Sequence, residues 1–244
     1  MSEHPKRANI KIQPHYIELI APSSLLEWLS KHSYLTADHK NLVIICGQLG
    51  DFDSIEYAQA LVPALDRIRQ AKFNVILIGI GDCFGADRFC AYTGFPRELV
   101  VVEPNNQLHC DCGLYEGLKT GLDPWFNLLM MCAGIGSQGT LKEVLRGYIG
   151  DRNAKSRIHN SLFNLVGRDG YLRPFELATV RLQNMIEVLS NWKTYVPNHQ
   201  WLCQRGGTFI LNSENDVMYS YFDVGILGFS ETMAEPLSFL NDYL

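Results

Sequence analysis

The chain lacks any apolar run of the roughly 20 residues needed to cross a membrane. The nearest candidate, "NLLMMCAGIG" (127–136), is too short, and Ser and Gly follow it. It also lacks a surplus of basic charge. Lys and Arg number 21 against 26 Asp and Glu, for a net charge of -5. No broad electrostatic footprint for nucleic acid is present, and no nucleic-acid partner is expected. The opening "MSEHPKRANIKIQPHY" has neither the apolar core nor the small-residue cleavage site of a secretory signal. Seven cysteines is an odd number. Without a signal it reads as free thiols in a reducing compartment, not a disulfide scaffold. A cytoplasmic protein is expected; peripheral membrane association stays open.

What is there reads as an ordinary globular chain. It has 244 residues, 47% hydrophobic and 19% charged, enough for one large domain or two small ones. Residues 1–20 are polar. "SSLLEWLSKH" (23–32) reads as a short amphipathic helix capped by Ser. "NLVIICG" (41–47) is a continuous apolar run ended by Gly, the pattern of a strand covered on both faces. "IEYAQALVPALDRIRQA" (55–71) has helical spacing, with Pro63 expected to kink it. "FNVILIGIG" (73–81) is a second buried strand, and "ADRFCAYTG" (86–94) a helix stopped at Gly94. "ELVVVEPN" (98–105) is a third strand, halted by Pro104. Two successive β-α-β crossovers imply a largely parallel sheet with helices on its faces.

The middle changes character. "GLYEGLKTGL", "PWFNLLMMCAGIG", "GTLKEVLRGYIGDR" and "PFELATVRLQNMIEVLSNW" read as mostly helical, an insertion over about 114–192. "GGTFILNSENDVMYSYFD" (206–223) is a hairpin with the polar turn "NSEND". A last helix is expected over "SETMAEPLSFLNDYL" (230–244), with its limits blurred by Pro236.

Parallel β-α-β units followed by a hairpin and a last helix resemble the thioredoxin fold. Two stretches resemble the peroxiredoxin-like AhpC/TSA family within it. "LVIICGQLGDFDSIEYAQALVPAL" (42–65) is similar to that family's strand, active loop and helix. "QRGGTFILNSENDVMYSYFD" (204–223) is similar to its Arg, Gly, Thr-Phe strand, acidic turn and returning strand. The resemblance implies an α/β fold with a central mixed sheet flanked by helices. It implies an N-terminal extension over 1–40 and a thioredoxin-like domain over 41–244, carrying the helical insertion before the hairpin. It also implies a peroxidatic cysteine in the first turn of the helix after the first core strand. That region here is "GDFDSIEYA" (50–58), which offers Asp51, Asp53 and Glu56 and no sulfur; the nearest upstream cysteine is Cys46, inside the strand. Arg205 corresponds to the family's active-site Arg and would face a carboxylate. A carboxylate cannot replace a thiolate in peroxide reduction, which passes through sulfenic acid.

Asp53 and Glu56 also fit a helix start, with Asp53 as cap and Glu56 three residues on, as in a capping box. Among the cysteines Cys83, in "GDCFGADRFC", is the redox candidate, because a loop near a helix N-terminus can lower a thiol pKa. Cys46, Cys90 and Cys132 read as core residues. His109, Cys110 and Cys112 in "HCDC" are soft donors, but zinc usually takes four ligands and Cys-x2-Cys spacing; no metal or cofactor is expected. Gly134, Gly136 and Gly139 precede Thr140 and Glu143, a second capping-box pattern. With Lys142, Arg146 and Arg152 nearby, this helix start could instead meet an anion. Trp125, Phe126, Tyr148, Tyr171, Phe175 and Trp192 form either a groove in the insertion or its core. Two functions follow. One is a thioredoxin-fold binding or scaffold protein without classical peroxidase activity, joining a protein partner or a second copy through the insertion. The other is a thiol-dependent peroxidase or oxidoreductase with its nucleophile relocated to Cys83.

Overall fold

β1 (Lys40–Gln48) is buried at every position after its first. Leu42, Ile44 and Cys46 enter one apolar layer, Val43 and Ile45 the other, as the two-residue period of a strand requires. β2 (Phe73–Ile80) divides the same way, with Phe73, Val75 and Leu77 on the first side and Ile76 and Ile78 on the second. The structure is a computed structural model and describes residues 23–35, 38–151 and 176–244. The N-terminal 22 residues, Arg152, Tyr171 and Phe175 lie outside the described residues.

Five strands form one mixed sheet in the order β3-β2-β1-β4-β5. β1, β2 and β3 (Val100–Glu103) are parallel, and β4 (Gly207–Leu211) and β5 (Val217–Phe222) add an antiparallel hairpin beside β1. The first layer is closed by α2 (Phe52–Leu61), α3 (Leu65–Gln70) and α4 (Cys83–Thr93); Pro63 separates α2 from α3 through a 3₁₀ turn at Val62–Ala64. The second layer is closed by α1 (Ser23–Lys31), whose Leu25 and Leu29 are fully buried, and by α5 (Gln107–Asp111). The extra helical region contains α6 (Pro124–Cys132), α7 (Thr140–Ile149), α8 (Glu176–Ser190) and the one-turn α9 (Trp192–Tyr195). This is an α/β thioredoxin-like fold, a central mixed sheet flanked by helices with an added helical region. No helix among the described residues is long and apolar enough to cross a membrane.

Three local expectations are corrected. Residues 114–120 are not helical. Gly117 has φ 78° there, and a Cβ on it would lie 2.2 Å from the Cys203 carbonyl oxygen, so the segment runs as a non-helical strap against residue 203. The last helix is only a 3₁₀ turn at Ser238–Leu240. Pro236 denies a helix its hydrogen bond, and Leu237, Phe239 and Leu240 pack into the first layer instead. Thr140 does not cap α7, because Gly139 holds that position and Thr140 is the first helical residue.

The approach of β4 to β1 sets the site described next. Gly207 pairs with Ile45, and a Cβ on Gly206 would stand 2.0 Å from the Ile45 carbonyl oxygen. Backbone cannot yield as a flexible side chain does. The Gly206→Ala protein is therefore expected to lose about 1–3 kcal/mol, the range for forced overpacking. Urea unfolding checks this; a variant as stable as wild type would contradict the close approach.

Candidate functional site

Because β1 and β4 are antiparallel, the end of β1 meets the start of β4, and Asp51 is brought to Arg205. Asp51 occupies the N-cap of α2 with extended backbone, but its side chain caps no helix N–H. It lies 2.7 Å from Arg205 Nη1 instead. Arg205 is 1% exposed. Its remaining N–H groups point at main-chain oxygens, Nε at Cys203 and Nη2 at Leu202, while Nη1 also reaches the Gly225 carbonyl at 3.3 Å. One guanidinium thus ties the β1–α2 junction to residues 202–203 before β4 and to the exit of β5.

Two more buried carboxylates surround it. Asp53 lies in the first turn of α2 and is not the cap; its Oδ2 accepts from Gly228 N at 3.0 Å, and its Oδ1 has no hydrogen-bond partner among the described residues. Asp223 follows β5 and accepts from Gly225 N at 2.9 Å. Burial pushes the Asp53 carboxyl well above the usual carboxylate range, with Asp223 and Asp51 adding to the rise. Burial pushes Asp223 up to about 7, opposed by Arg205. Asp51 is also raised by burial, against the pull of Arg205. Three acids around one fixed positive charge titrate as a unit and retain protons that exposed acids would release.

Asp53, Asp223 and Cys46 line a cavity of about 20 Å³, with Ser54, Tyr57 and Thr208, room for about one water-sized molecule. Tyr57 and Thr208 hydroxyls bond each other at 2.9 Å. The Cys46 thiol is pushed up to about 12, first by burial, with Asp51, Asp53 and Asp223 adding to the rise. It is therefore a neutral thiol at physiological pH. The site can hold protons on carboxyl groups and accept a small hydrogen-bonding molecule.

Glu56 does not join this cluster through Arg205. It pairs with Arg181 of α8 at 3.1 Å. Arg181 also meets the Glu143 carbonyl at 2.9 Å and its carboxylate at 3.5 Å, Glu143 pairs with Arg146 at 2.8 Å, and Arg146 with Asp151 at 3.1 Å. These charges lie between α2 and the added helices. The capping-box reading of Asp53 and Glu56 gives way, since both side chains serve tertiary contacts.

Cys83 is exposed at the first position of α4, after the N-cap Asp82, whose carboxylate accepts from Gly85 N at 2.7 Å. β1 and β2 are parallel, so Cys83 and Asp51 leave the sheet at the same edge, but Cys83 does not line the Asp53 cavity. Cys90 is buried, whereas Cys132, which the sequence places in the core, is exposed. His109, Cys110 and Cys112 diverge. His109 is buried with Nε2 2.6 Å from the Cys46 carbonyl oxygen. A carbonyl only accepts, so Nε2 carries the proton, and burial lowers the ring pKa to about 4. Cys110 is exposed; Cys112 is buried, with Ser24 Oγ 4.0 Å from its sulfur. Among the described residues no group of three or more His, Cys, Asp and Glu side chains is arranged to hold a metal ion. At the start of α7, Thr140 Oγ1 meets Ser137 Oγ and accepts from Ile226 N at 3.1 Å, so these hydroxyls are already engaged.

Sequence reading gave Asp223, Arg181 and His109 none of these roles. The hairpin register could have found Asp223: Gly207 pairs with Phe222, so residue 223 must lie opposite Gly206, beside Arg205. No local pattern announces Arg181, which is 125 positions from Glu56.

Residues 60–225 match the family model described as AhpC/TSA antioxidant enzyme. The match covers more than half of the chain, which therefore belongs to that family. It includes Cys83, Arg205 and Asp223 and starts inside α2, beyond Asp51, Asp53 and Glu56. No curated protein and no solved structure matches the chain.

The acid cluster fixes a pH dependence. The folded state holds the Asp223 proton up to about pH 7, while the ordinary value is 3.8. Stability from that group is complete below the ordinary value and is lost as pH rises to the folded one. The slope is about 1.4 kcal/mol per pH unit for one such group. Urea midpoints measured across this window are expected to fall with pH, and less steeply for Asp223→Asn. Equal slopes would contradict a protonated, buried Asp223.

Proposed function

We propose that this member of the AhpC/TSA family does not reduce peroxide at the β1–α2 junction and acts as a binding or scaffold protein on a thioredoxin-like frame, engaging its partner through the added helical region. One observation carries the reading. The guanidinium that the resemblance assigns to an active-site thiolate is 2.7 Å from the carboxylate of Asp51. The cysteine nearest in sequence, Cys46, is buried and kept neutral. Nucleophilic attack on peroxide requires the thiolate, and carboxylates cannot cycle through sulfenic acid.

A second reading draws on the exposure of Cys83 at the start of α4. A thiolate there would attack one peroxide oxygen, break the O–O bond and become a sulfenic acid, with the other oxygen leaving as water after protonation. A thiol donor would then condense with the sulfenic acid, releasing a second water, and a second thiol would reduce the mixed disulfide.

Peroxide consumption with a dithiol donor separates the two. The wild-type protein and Cys83→Ser are expected to turn over peroxide equally, at the background rate. Turnover by wild type that Cys83→Ser loses would establish the second reading. Turnover that survives the substitution would place a reactive thiol elsewhere and overturn both.

A further inference from the structure

The charged residues that line the cavity beside Cys46 are all acids. Asp51, Asp53 and Asp223 line it, and among the described residues no Lys, Arg or His does. Arg205 stands behind this wall, its N–H groups taken up by Asp51 and by the carbonyls of Leu202, Cys203 and Gly225. When all three acids are ionised, one guanidinium cannot balance them. A second observation points into the same space. Asp53 is 3% exposed, and its Oδ2 accepts from Gly228 N, yet Oδ1 has no hydrogen-bond partner. A buried oxygen without a donor is costly, and native interiors satisfy nearly all such groups.

The rest of the wall can accept hydrogen bonds as well. The buried Tyr57 and Thr208 hydroxyls bond each other at 2.9 Å, and their oxygens keep lone pairs for a third group. Asp51 and Tyr221 are the lining residues that are not fully buried, so they mark the way in. The volume of about 20 Å³ admits one water-sized body. An occupant that suits these features is small, carries one positive charge and donates several hydrogen bonds.

We propose that this cavity binds a single ammonium ion, whose N–H groups donate to Asp53 Oδ1, to the Asp223 carboxylate and to the Tyr57–Thr208 hydroxyl pair. The competing occupants each miss one condition. An anion would face the acids. Methylammonium brings a second heavy atom into a space for one. A metal ion has the charge, but among the described residues no group of three or more His, Cys, Asp and Glu side chains is arranged to hold one. Water fits and donates, but it brings no charge and leaves the acids to keep protons. Burial does hold protons here, on Asp223 up to about pH 7 and on Asp53 well above the usual range. Ammonium takes the place of such a proton: one cation enters, one proton leaves to solvent, and the charge of the site is unchanged. The proposal goes beyond the binding reading above. It involves neither the added helices nor peroxide turnover, so either can fail alone.

The test is urea unfolding of the full chain at about pH 8 in ammonium, potassium, sodium or tetramethylammonium chloride. Ionic strength is held constant, so screening is the same in all four. Ammonium alone is expected to raise the midpoint, with the concentration dependence of one site: at ten times the dissociation constant the folded-to-unfolded ratio is about elevenfold higher. Asp53→Asn is expected to lose the difference between ammonium and potassium. Nuclear magnetic resonance with nitrogen-15 ammonium examines wild type directly; a protein-bound ammonium signal with proton contacts to Tyr57 and Thr208 is expected. The two wild-type measurements decide without the variant. Equal midpoints in all four salts would leave the cavity to water and overturn the proposal. So would potassium or sodium matching ammonium, an ammonium effect that survives Asp53→Asn, or the absence of a bound signal.

Discussion

A guanidinium taken out of water must be neutralised and hydrogen-bonded, or the fold that buries it does not survive. Arg205 imposes that condition here. Asp51 supplies the charge, and the carbonyls of Leu202, Cys203 and Gly225 take up the other N–H groups. The pair needs β4 to run close beside β1, which Gly206 allows, and needs the β1–α2 junction to turn Asp51 back toward the sheet. It also determines the chemistry of the junction. An arginine saturated by a carboxylate and main-chain oxygens is no longer aimed at a thiolate. The surrounding acids oppose any negative charge that Cys46 could develop, and burial opposes it more.

The same need for charge balance extends outward. Glu56 enters the first layer from α2 and is met by Arg181 of α8, which in turn reaches Glu143 of α7. The added helices are fastened to the core by these ions and by the buried Val188 and Tyr195, while several of their apolar residues, Leu145, Tyr148, Ile149 and Ile186 among them, are exposed. α2 thus carries acids of two separate buried sets, Asp51 at its N-cap paired with Arg205 and Glu56 in its body paired with Arg181.

The central sheet was legible from the chain because its cues are local. "NLVIICG" and "FNVILIGIG" are apolar at successive positions and fit strands covered on both faces, and the hairpin is marked by "NSEND". Pro63 and Gly94 fall where their backbones demand. Asp51, Asp53 and Glu56 were visible as a junction without sulfur, but their partners were not. Arg181 and Asp223 come from distant segments, and spacing along a helix cannot distinguish an acid that caps from an acid that pairs. The helical pattern read into 114–120 was defeated by the contact of Gly117 with residue 203, and the one read into 230–244 by Pro236 and the apolar side chains that fold inward.

The most direct measurement of the central interaction is a double-mutant cycle on Arg205→Met and Asp51→Asn by urea unfolding. Removing one partner of a buried pair costs about 3–5 kcal/mol. If the two groups neutralise each other, each single variant loses an amount of that order, and the double variant loses well under their sum. Strictly additive losses would mean that Arg205 is balanced by something other than Asp51, and the account of the junction would fail.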